Sequence, residues 1–391
     1  MTSTPKSSPT RKTRIVCISD THNQTPKLPK GDVLIHAGDL AKQGSRSELK
    51  KTVDWIERAD FEAKIVIAGN HDITLDAPFY AKHGSSRKWP CPQNCEENRR
   101  LLTESASITY LENEAATIYL TAQNGPGTCF KVYGSPYTPN NREWAFRYQP
   151  GQYAARQLWD AMPADVDIVV THTPPRGHRD TTVGGESSGC EVLLRALHRV
   201  RPMLSVFGHI HEGRGAERVR WKLEPLEDGR LTEGLEVWAD PGAGSSKQSL
   251  LNLSAKRGRP LDNCSRLATC QTYDPELLLA PGGHLGVQPT DDSTTRSSLN
   301  ESVAGEARGR AKVMLGGAIE YRQGVRSSET FGLGHEPDWG SGGRRETVMI
   351  NAAFLGPHHL KKTFNKPIIV DVDLPVWRGR TGPDAERCIG D

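Results

Sequence analysis

The sequence predicts an α/β fold built on a mainly parallel sheet. Three observations carry that expectation. Five short apolar runs rich in Val and Ile recur along the chain, each stopped by turn residues. Runs of this kind, apolar at every position rather than at alternate ones, are what a strand buried on both faces requires. Apolar residues at helical spacing lie between them, and strands alternating with helices are the pattern of parallel α/β units. Strand-like sequence then returns near the C-terminus, after a long polar stretch.

Taken in order, the runs are Arg14 to Ser19 ending at Asp20, Asp32 to Ala37 ending at Gly38-Asp39, and Lys64 to Ala68 ending at Gly69-Asn70-His71-Asp72. Asp167 to Val170 ends at Thr171-His172, and Met203 to Phe207 ends at Gly208-His209-Ile210-His211. Leu49, Val53 and Ile56 fall on one helical face after Ser47 as an expected N-cap, and Leu193, Leu197 and Val200 repeat the spacing. Thr117 to Leu120 and Cys129 to Tyr133 read as further strands, and Val219, Trp221 and Leu223 alternate as a half-buried strand does. From about 241 to 345 the chain is dominated by Gly, Ser, Arg, Thr and Pro, too polar to bury a core. Strand-like sequence resumes at Thr347 to Asn351 and Pro367 to Asp373. The expected organisation is a disordered tail over 1–13, one domain over 14–376 interrupted by a flexible low-complexity insert at about 241–345, and a tail over 377–391.

Of the 391 residues, 36% are hydrophobic and 25% charged, with a formal net charge of +3. A balance so close to neutral leaves no footprint for nucleic acid or an anionic membrane. No run approaches the roughly 20 apolar residues of a membrane span, and the Ser/Thr/Pro-rich N-terminus has no apolar signal core. The reading is a cytoplasmic protein that could also enter the nucleus; the basic cluster Lys256 to Arg259 is either a nuclear signal or, as such clusters more often are, solvated loop. The eight cysteines are scattered and suggest no disulfide framework. Cys17 reads as a small core residue, and Cys91 with Cys95 lacks the second pair that structural zinc needs.

The chemistry lies at the ends of the five runs. Ligands of open α/β sheets gather at the carboxyl ends of the strands. Those ends carry Asp20 with His22, Asp39, Asn70 with His71, His172, and His209 with His211. Asp20/His22 and His209/His211 are two residues apart, so in extended chain both members point to one side. Carboxylate, imidazole and amide oxygen without thiolate suit divalent ions such as Mn, Fe, Zn, Co or Mg. Seven candidate ligands (Asp20, His22, Asp39, Asn70, His172, His209 and His211) exceed what one tetrahedral ion takes. They fit two ions about 3.5–4 Å apart sharing a carboxylate.

The strings DTH from Asp20, GD from Gly38, GNHD from Gly69, TH from Thr171 and GHIH from Gly208 resemble the calcineurin-like metallophosphoesterase superfamily. The wider text (ISDTHNQ, IVIAGNHD, VYGSPYTP, THTPPRGHRD, GCEVLL and VFGHIHEGRG) is similar to its metallophosphoesterase-domain branch, here as a fungal-type member with a long insert. The likeness spans Arg14 to about Arg220 and Val348 to Pro375. It implies an αββα sandwich, two mixed sheets flanked by helices. It implies that Asp20, His22 and His211 hold one metal, that Asn70, His172 and His209 hold the other, and that Asp39 bridges them. His71 would face the substrate phosphate as transition-state stabiliser or general acid, with Asp72 accepting a hydrogen bond from its ring. Manganese is the favoured metal.

The expected reaction is hydrolysis of a phosphodiester or phosphomonoester. Two cations neutralise the ester oxygens, and the hydroxide held between them attacks phosphorus. By analogy the small phosphate-ester substrate is a nucleotide or cyclic nucleotide. The alternatives are a nucleotide-binding regulator or scaffold with negligible turnover, or a nuclease. A regulator is expected to have lost a ligand, and a nuclease to carry a basic, aromatic-lined groove. His36 reads as a hydrogen-bonded core residue. His178 is a candidate to line the substrate pocket, and Arg176 and Arg179 either bind a phosphate or face solvent from their loop. Trp144 either stacks on a base or fills the core. Tyr137 stands where relatives carry Trp, which with Arg142 and Glu143 alters the expected pocket.

Overall fold

The structure, a computed structural model, describes residues 9–86, 89, 91–139, 143–149, 152–223, 230–263, 310–315, 318–323, 343–357 and 363–377. Two large mixed sheets face each other. The first runs in the order Leu250–Asn252, Ile368–Pro375, Thr10–Ile18, Val33–Ala37, Ala63–Ile67 and Thr109–Tyr110. The second runs Thr232–Val237, Gly215–Trp221, Glu346–Asn351, Leu204–Phe207, Ile168–Thr171, Cys129–Ser135, Glu114–Tyr119, Arg310–Leu315 and Ala318–Gln323. The three strands that lead to Asp20, Asp39 and Asn70 are mutually parallel, as are those that lead to His172 and His209.

The continuous apolar runs are explained by burial on both faces. Along the first strand Ile15 and Cys17 point into the core between the sheets, where they meet Ile118, Val132, Val170 and Ile350. The alternate residues Val16 and Ile18 pack outward with Leu49, Val53, Ile56 and Leu102 of the helices Arg46–Glu57 and Cys95–Thr103. On the far side Val169, Phe207 and Trp221 of the second sheet pack against Trp159, Leu193 and Leu197 of the helices Gln152–Asp160 and Glu191–Val200. The order of layers is therefore helix, sheet, sheet, helix: the αββα arrangement.

Several boundaries differ from the sequence reading. The helix expected to begin at Ser47 is capped two residues earlier. Ser45 accepts from the Glu48 amide, and the Glu48 carboxylate returns to the Ser45 amide, a reciprocal pair that outcompetes the later serine. The tail expected to end at residue 13 ends sooner, because Thr10 to Thr13 already pair with Pro375 to Val372. The insert expected from about 241 contributes sheet. Leu250–Asn252 pairs in parallel with Ile369 to Asp371, and Arg310–Leu315 pairs in parallel with Glu114–Tyr119 and antiparallel with Ala318–Gln323. The remainder of the expected insert and residues 378–391 lie outside the described residues. Among the described cysteines, Cys17, Cys91, Cys95 and Cys190 are free and Cys129 is disulfide-bonded, which the scattered spacing did not suggest. Among the described residues no helix is long and apolar enough to cross a membrane.

Candidate metal centre

The site lies where the carboxyl ends of the parallel strands of both sheets meet. Three of the five strand exits bend sharply. Asp20, His22, Asp39 and His209 all adopt positive φ, between 42° and 67°. That region is costly for residues other than glycine and is tolerated where surrounding structure enforces it. Two of the motif glycines leave room for the ligands. A Cβ on Gly208 would land on the Asp20 carboxylate and the Ser19 hydroxyl, and one on Gly69 would land on Asp39.

Three groups of possible ligand atoms converge within 4.8 Å of one another: Asp20, His22 and His211; Asp20, Asp39 and His172; and His22, Asp39 and His71. The imidazoles are held in one manner. Nδ1 of His172 lies 2.9 Å from the Ala37 carbonyl, Nδ1 of His22 lies 3.3 Å from the Ala41 carbonyl, and Nδ1 of His211 lies 3.3 Å from the Gly356 carbonyl. A carbonyl can only accept, so each Nδ1 carries the proton. In the neutral ring Nε2 then offers a lone pair. All three Nε2 atoms face carboxylates: His211 is 3.4 Å from Asp20, His172 is 3.4 Å from Asp39, and His22 is 3.6 Å from Asp39. Asn70 Oδ1 joins His172 Nε2 at 3.0 Å.

This set fits a cation. Nε2 of His22 is buried without a hydrogen-bond partner, and its separation from Asp39 is too long for a hydrogen bond. Carboxylate and amide oxygens crowd the Nε2 atoms here, Asn70 at 3.0 Å from His172, so without an ion protons on the imidazoles carry the positive charge that a divalent ion in their place would supply. The electrostatics agree. Burial pushes the Asp20 carboxyl up, but the hydrogen bond and charge of His211 outweigh it, so Asp20 stays below the ordinary carboxylate range. Burial likewise opposes Asp39, yet His172 and His71 hold it well below that range. Burial would lower His172, but Asp39 raises it to about 9. Burial, only partly offset by Asp39, takes His22 down to about 4. His209, lowered to about 3 by burial and by the charge of His172, stays neutral.

His209 is placed differently from its partners. Its imidazole belongs to none of the three groups and packs against the His172 ring at 5.0 Å between centroids, while its backbone amide donates to both Asp20 oxygens at 3.1 Å. His71 is half-buried at the opening. Its amide donates to Asp39 at 2.8 Å and its Nδ1 meets the Lys42 carbonyl at 2.8 Å.

The expected hydrogen bond from the His71 ring to Asp72 is corrected by these contacts. The Asp72 carboxylate is turned inward and accepts the backbone amides of Leu40, Ala41 and Gly69, at 3.1, 2.8 and 2.8 Å. Asp72 therefore ties two ligand loops together instead of touching the reacting groups. Burial, reinforced by the charge of Asp39, pushes its carboxyl up to about 8.

The remaining candidates are distributed as follows. His36 is buried, with Nε2 3.0 Å from the Thr21 hydroxyl beneath the bend that carries Asp20 and His22. His178 and Arg179 both pair with Glu217, at 2.6 and 3.1 Å, and Arg176 is exposed. Cys91 and Cys95 lie outside the three ligand groups. Trp144 lies against the His71 ring, 4.1 Å between centroids and tilted by 34°, and packs on the outer core. Arg142 lies outside the described residues.

Sequence reasoning missed Asn351. Its fully buried side-chain amide donates to the Ile210 carbonyl at 2.8 Å and the Arg179 carbonyl at 3.0 Å, and its Oδ1 accepts from the Ala353 amide at 3.2 Å. It thereby fixes the turn between His209 and His211. The chain that follows also supplies Gly356, whose carbonyl orients His211.

Residues 13–213 match the calcineurin-like phosphoesterase family. The chain is 42% identical over 227 residues to a protein named probable rhamnogalacturonate lyase C from Emericella nidulans, a similarity covering 58% of this chain and 20% of that protein. It is 41% identical over 214 residues to human metallophosphoesterase domain-containing protein 1, covering 52% of this chain and 62% of the relative. A UPF0046 protein of Caenorhabditis elegans is 34% identical over 213 residues, which is 52% of this chain and 70% of that protein. The chain thus spans less than two thirds of the length of the first two relatives.

Proposed function

The chain belongs to the calcineurin-like phosphoesterase family, whose members are metal-dependent hydrolases of phosphoric esters, and on that premise we propose that it hydrolyses a small phosphodiester or phosphomonoester at a centre of two divalent ions, manganese favoured. The observation that carries this reading is the common setting of His22, His172 and His211: each Nδ1 fixed on a backbone carbonyl, each Nε2 turned toward Asp20 or Asp39.

Asp20, His22 and His211 would hold one ion. Asn70, His172 and His209 would complete the other, with Asp39 between the two. When bound, such ions neutralise the ester oxygens and make water acidic enough to act as a nucleophile near neutral pH. The chain supplies the rest. The backbone carbonyls hold the imidazoles in the tautomer that presents Nε2. His71 stands half-buried at the opening with Nδ1 engaged by Lys42, and its other ring nitrogen would carry the proton to the leaving oxygen. Small nucleotides and cyclic nucleotides are the substrates we favour. An aromatic side chain, Trp144, lies beside His71, while a net charge of +3 offers little to a polyanion.

The test is hydrolysis of a generic aryl phosphodiester and the matching monoester by wild type, Asp39→Ala and His71→Ala, each chelated and then resupplied with Mn²⁺. Turnover that requires metal and collapses in both variants is expected, and the better ester decides between diesterase and phosphatase. Chelator-insensitive turnover, or full activity in Asp39→Ala, would remove the reading.

A further inference from the structure

Among the described residues no side chain hydrogen-bonds the His71 ring. Its Nδ1 meets a backbone carbonyl, and the adjacent carboxylate, Asp72, faces the other way. One hydrogen bond fixes a point on the ring but leaves rotation about that contact open. The face of the ring is covered by Trp144, with 4.1 Å between centroids and 34° between planes. The edge of the His22 ring meets His71 at 4.7 Å and 83°.

The indole is itself fixed by its neighbours. Ala145 and Phe146 are buried, the Phe146 amide donates to Asp76 at 2.7 Å, and the Phe146 carbonyl accepts from the Thr138 amide at 2.8 Å. Asp76 also caps the helix Ala77–His83 by accepting the Phe79 amide at 3.0 Å, and Glu143 pairs with His83 of that helix at 3.6 Å. The loop that carries Trp144 is therefore bound to the chain segment that leads out of Asn70, His71 and Asp72.

We propose that Trp144 is a positioning residue for proton delivery: its indole and the Lys42 carbonyl together fix the His71 imidazole so that the ring nitrogen not held by Lys42 faces the leaving oxygen. The inference rests on the phosphoesterase reading for its chemistry, but the positioning itself does not need turnover to be observed. Stacked aromatic rings prefer particular offsets, so a large flat face restricts an imidazole more than an aliphatic side chain does. Proton delivery matters most when the leaving group is a poor one, since an activated aryl oxide departs without a proton.

The experiment uses the full chain loaded with Mn²⁺ and two esters of whichever class wild type hydrolyses, one with a 4-nitrophenyl and one with an alkyl leaving group. For Trp144→Ala, kcat on the alkyl ester is expected to fall at least about tenfold further than on the nitrophenyl ester, a modest share of what a general acid contributes. Trp144→Phe should restore the ratio, and Trp144→Ala should add nothing to His71→Ala. Equal losses on both esters, a rise confined to KM, or additivity with His71→Ala would overturn the proposal. NMR of the ¹⁵N-labelled imidazoles in the metal-free chain provides a readout apart from activity. Wild type should show the His71 Nδ1–H protected from exchange by the Lys42 carbonyl, whether or not the other nitrogen also carries its proton, and Trp144→Ala should expose it. An unchanged His71 signal overturns the positioning role even if neither ester is hydrolysed, an outcome that would by itself count only against the phosphoesterase reading.

Discussion

Replacing Asn351 by leucine keeps the shape of the side chain and removes its hydrogen bonds. Three backbone groups lose their partner: the part-buried carbonyls of Ile210 and Arg179 and the buried amide of Ala353. A buried polar group left unpaired costs about 1–3 kcal/mol. Arg179 and Ile210 lie in half-buried chain, where water can reach part of the loss. The net cost should therefore be about 3–5 kcal/mol, in the lower part of what those three penalties allow. In a domain of this size that lowers Tm by about 6–20 °C. Urea unfolding of the chelated protein, followed by tryptophan fluorescence, measures it directly. Because Ile210 stands between His209 and His211, the variant should also bind Mn²⁺ about 10–100-fold more weakly, the usual consequence of losing a group that orients metal ligands. A stability loss below about 1 kcal/mol with unchanged Mn²⁺ affinity would show that Asn351 does not hold the turn.

Other expectations follow from the same geometry. Gly208→Ala places a methyl group on the Asp20 carboxylate and the Ser19 hydroxyl, so Mn²⁺ affinity by calorimetry should fall about 10–100-fold. Chelation should lower Tm, and Mn²⁺ at about one hundred times its Kd should restore about 2.7 kcal/mol; a Tm indifferent to Mn²⁺ would mean that the centre does not bind it. Asp371 is paired through two hydrogen bonds with Arg14, at 2.7 and 2.8 Å, which outweigh its burial and keep its carboxyl below the ordinary range. A lowered folded-state pKa gives stability that is present above about pH 4, the unfolded value, and is lost as pH falls through the folded value. Asp371→Asn should therefore cost about 1.5–3 kcal/mol at pH 7, with the gap to wild type closing in acid; a gap that persists in acid would refute the linkage.

The parts of this fold written in contiguous sequence were legible. Runs such as Ile15 to Ile18 declare a doubly buried strand because every position is apolar, and the polar residue at each run's end marks the site. What could not be read was set by long-range backbone contacts. The carbonyls that fix the ligand histidines belong to Ala37, Ala41 and Gly356, and nothing in residue type distinguishes a carbonyl that will meet an imidazole. Asp72 was misread for the same reason. The resemblance implied a hydrogen bond from the His71 ring, but the turn sends the Asp72 carboxylate to the amides of Leu40, Ala41 and Gly69. Asn351 looks like the end of an ordinary strand until the turn at Ile210 is seen beside it. Leu250–Asn252 is too short to show any periodicity, and its pairing with Ile369 to Asp371 supplies the order that its sequence does not.

The central claim is that Asp39 joins two ions in one centre. Its most direct test is an Mn²⁺ titration of the metal-free chain followed by electron paramagnetic resonance. A bridging Asp39 predicts two ions per chain with an exchange-coupled spectrum, and loss of the coupling in Asp39→Ala. A single magnetically isolated ion at saturation, or two uncoupled ions in the wild-type chain, would contradict it.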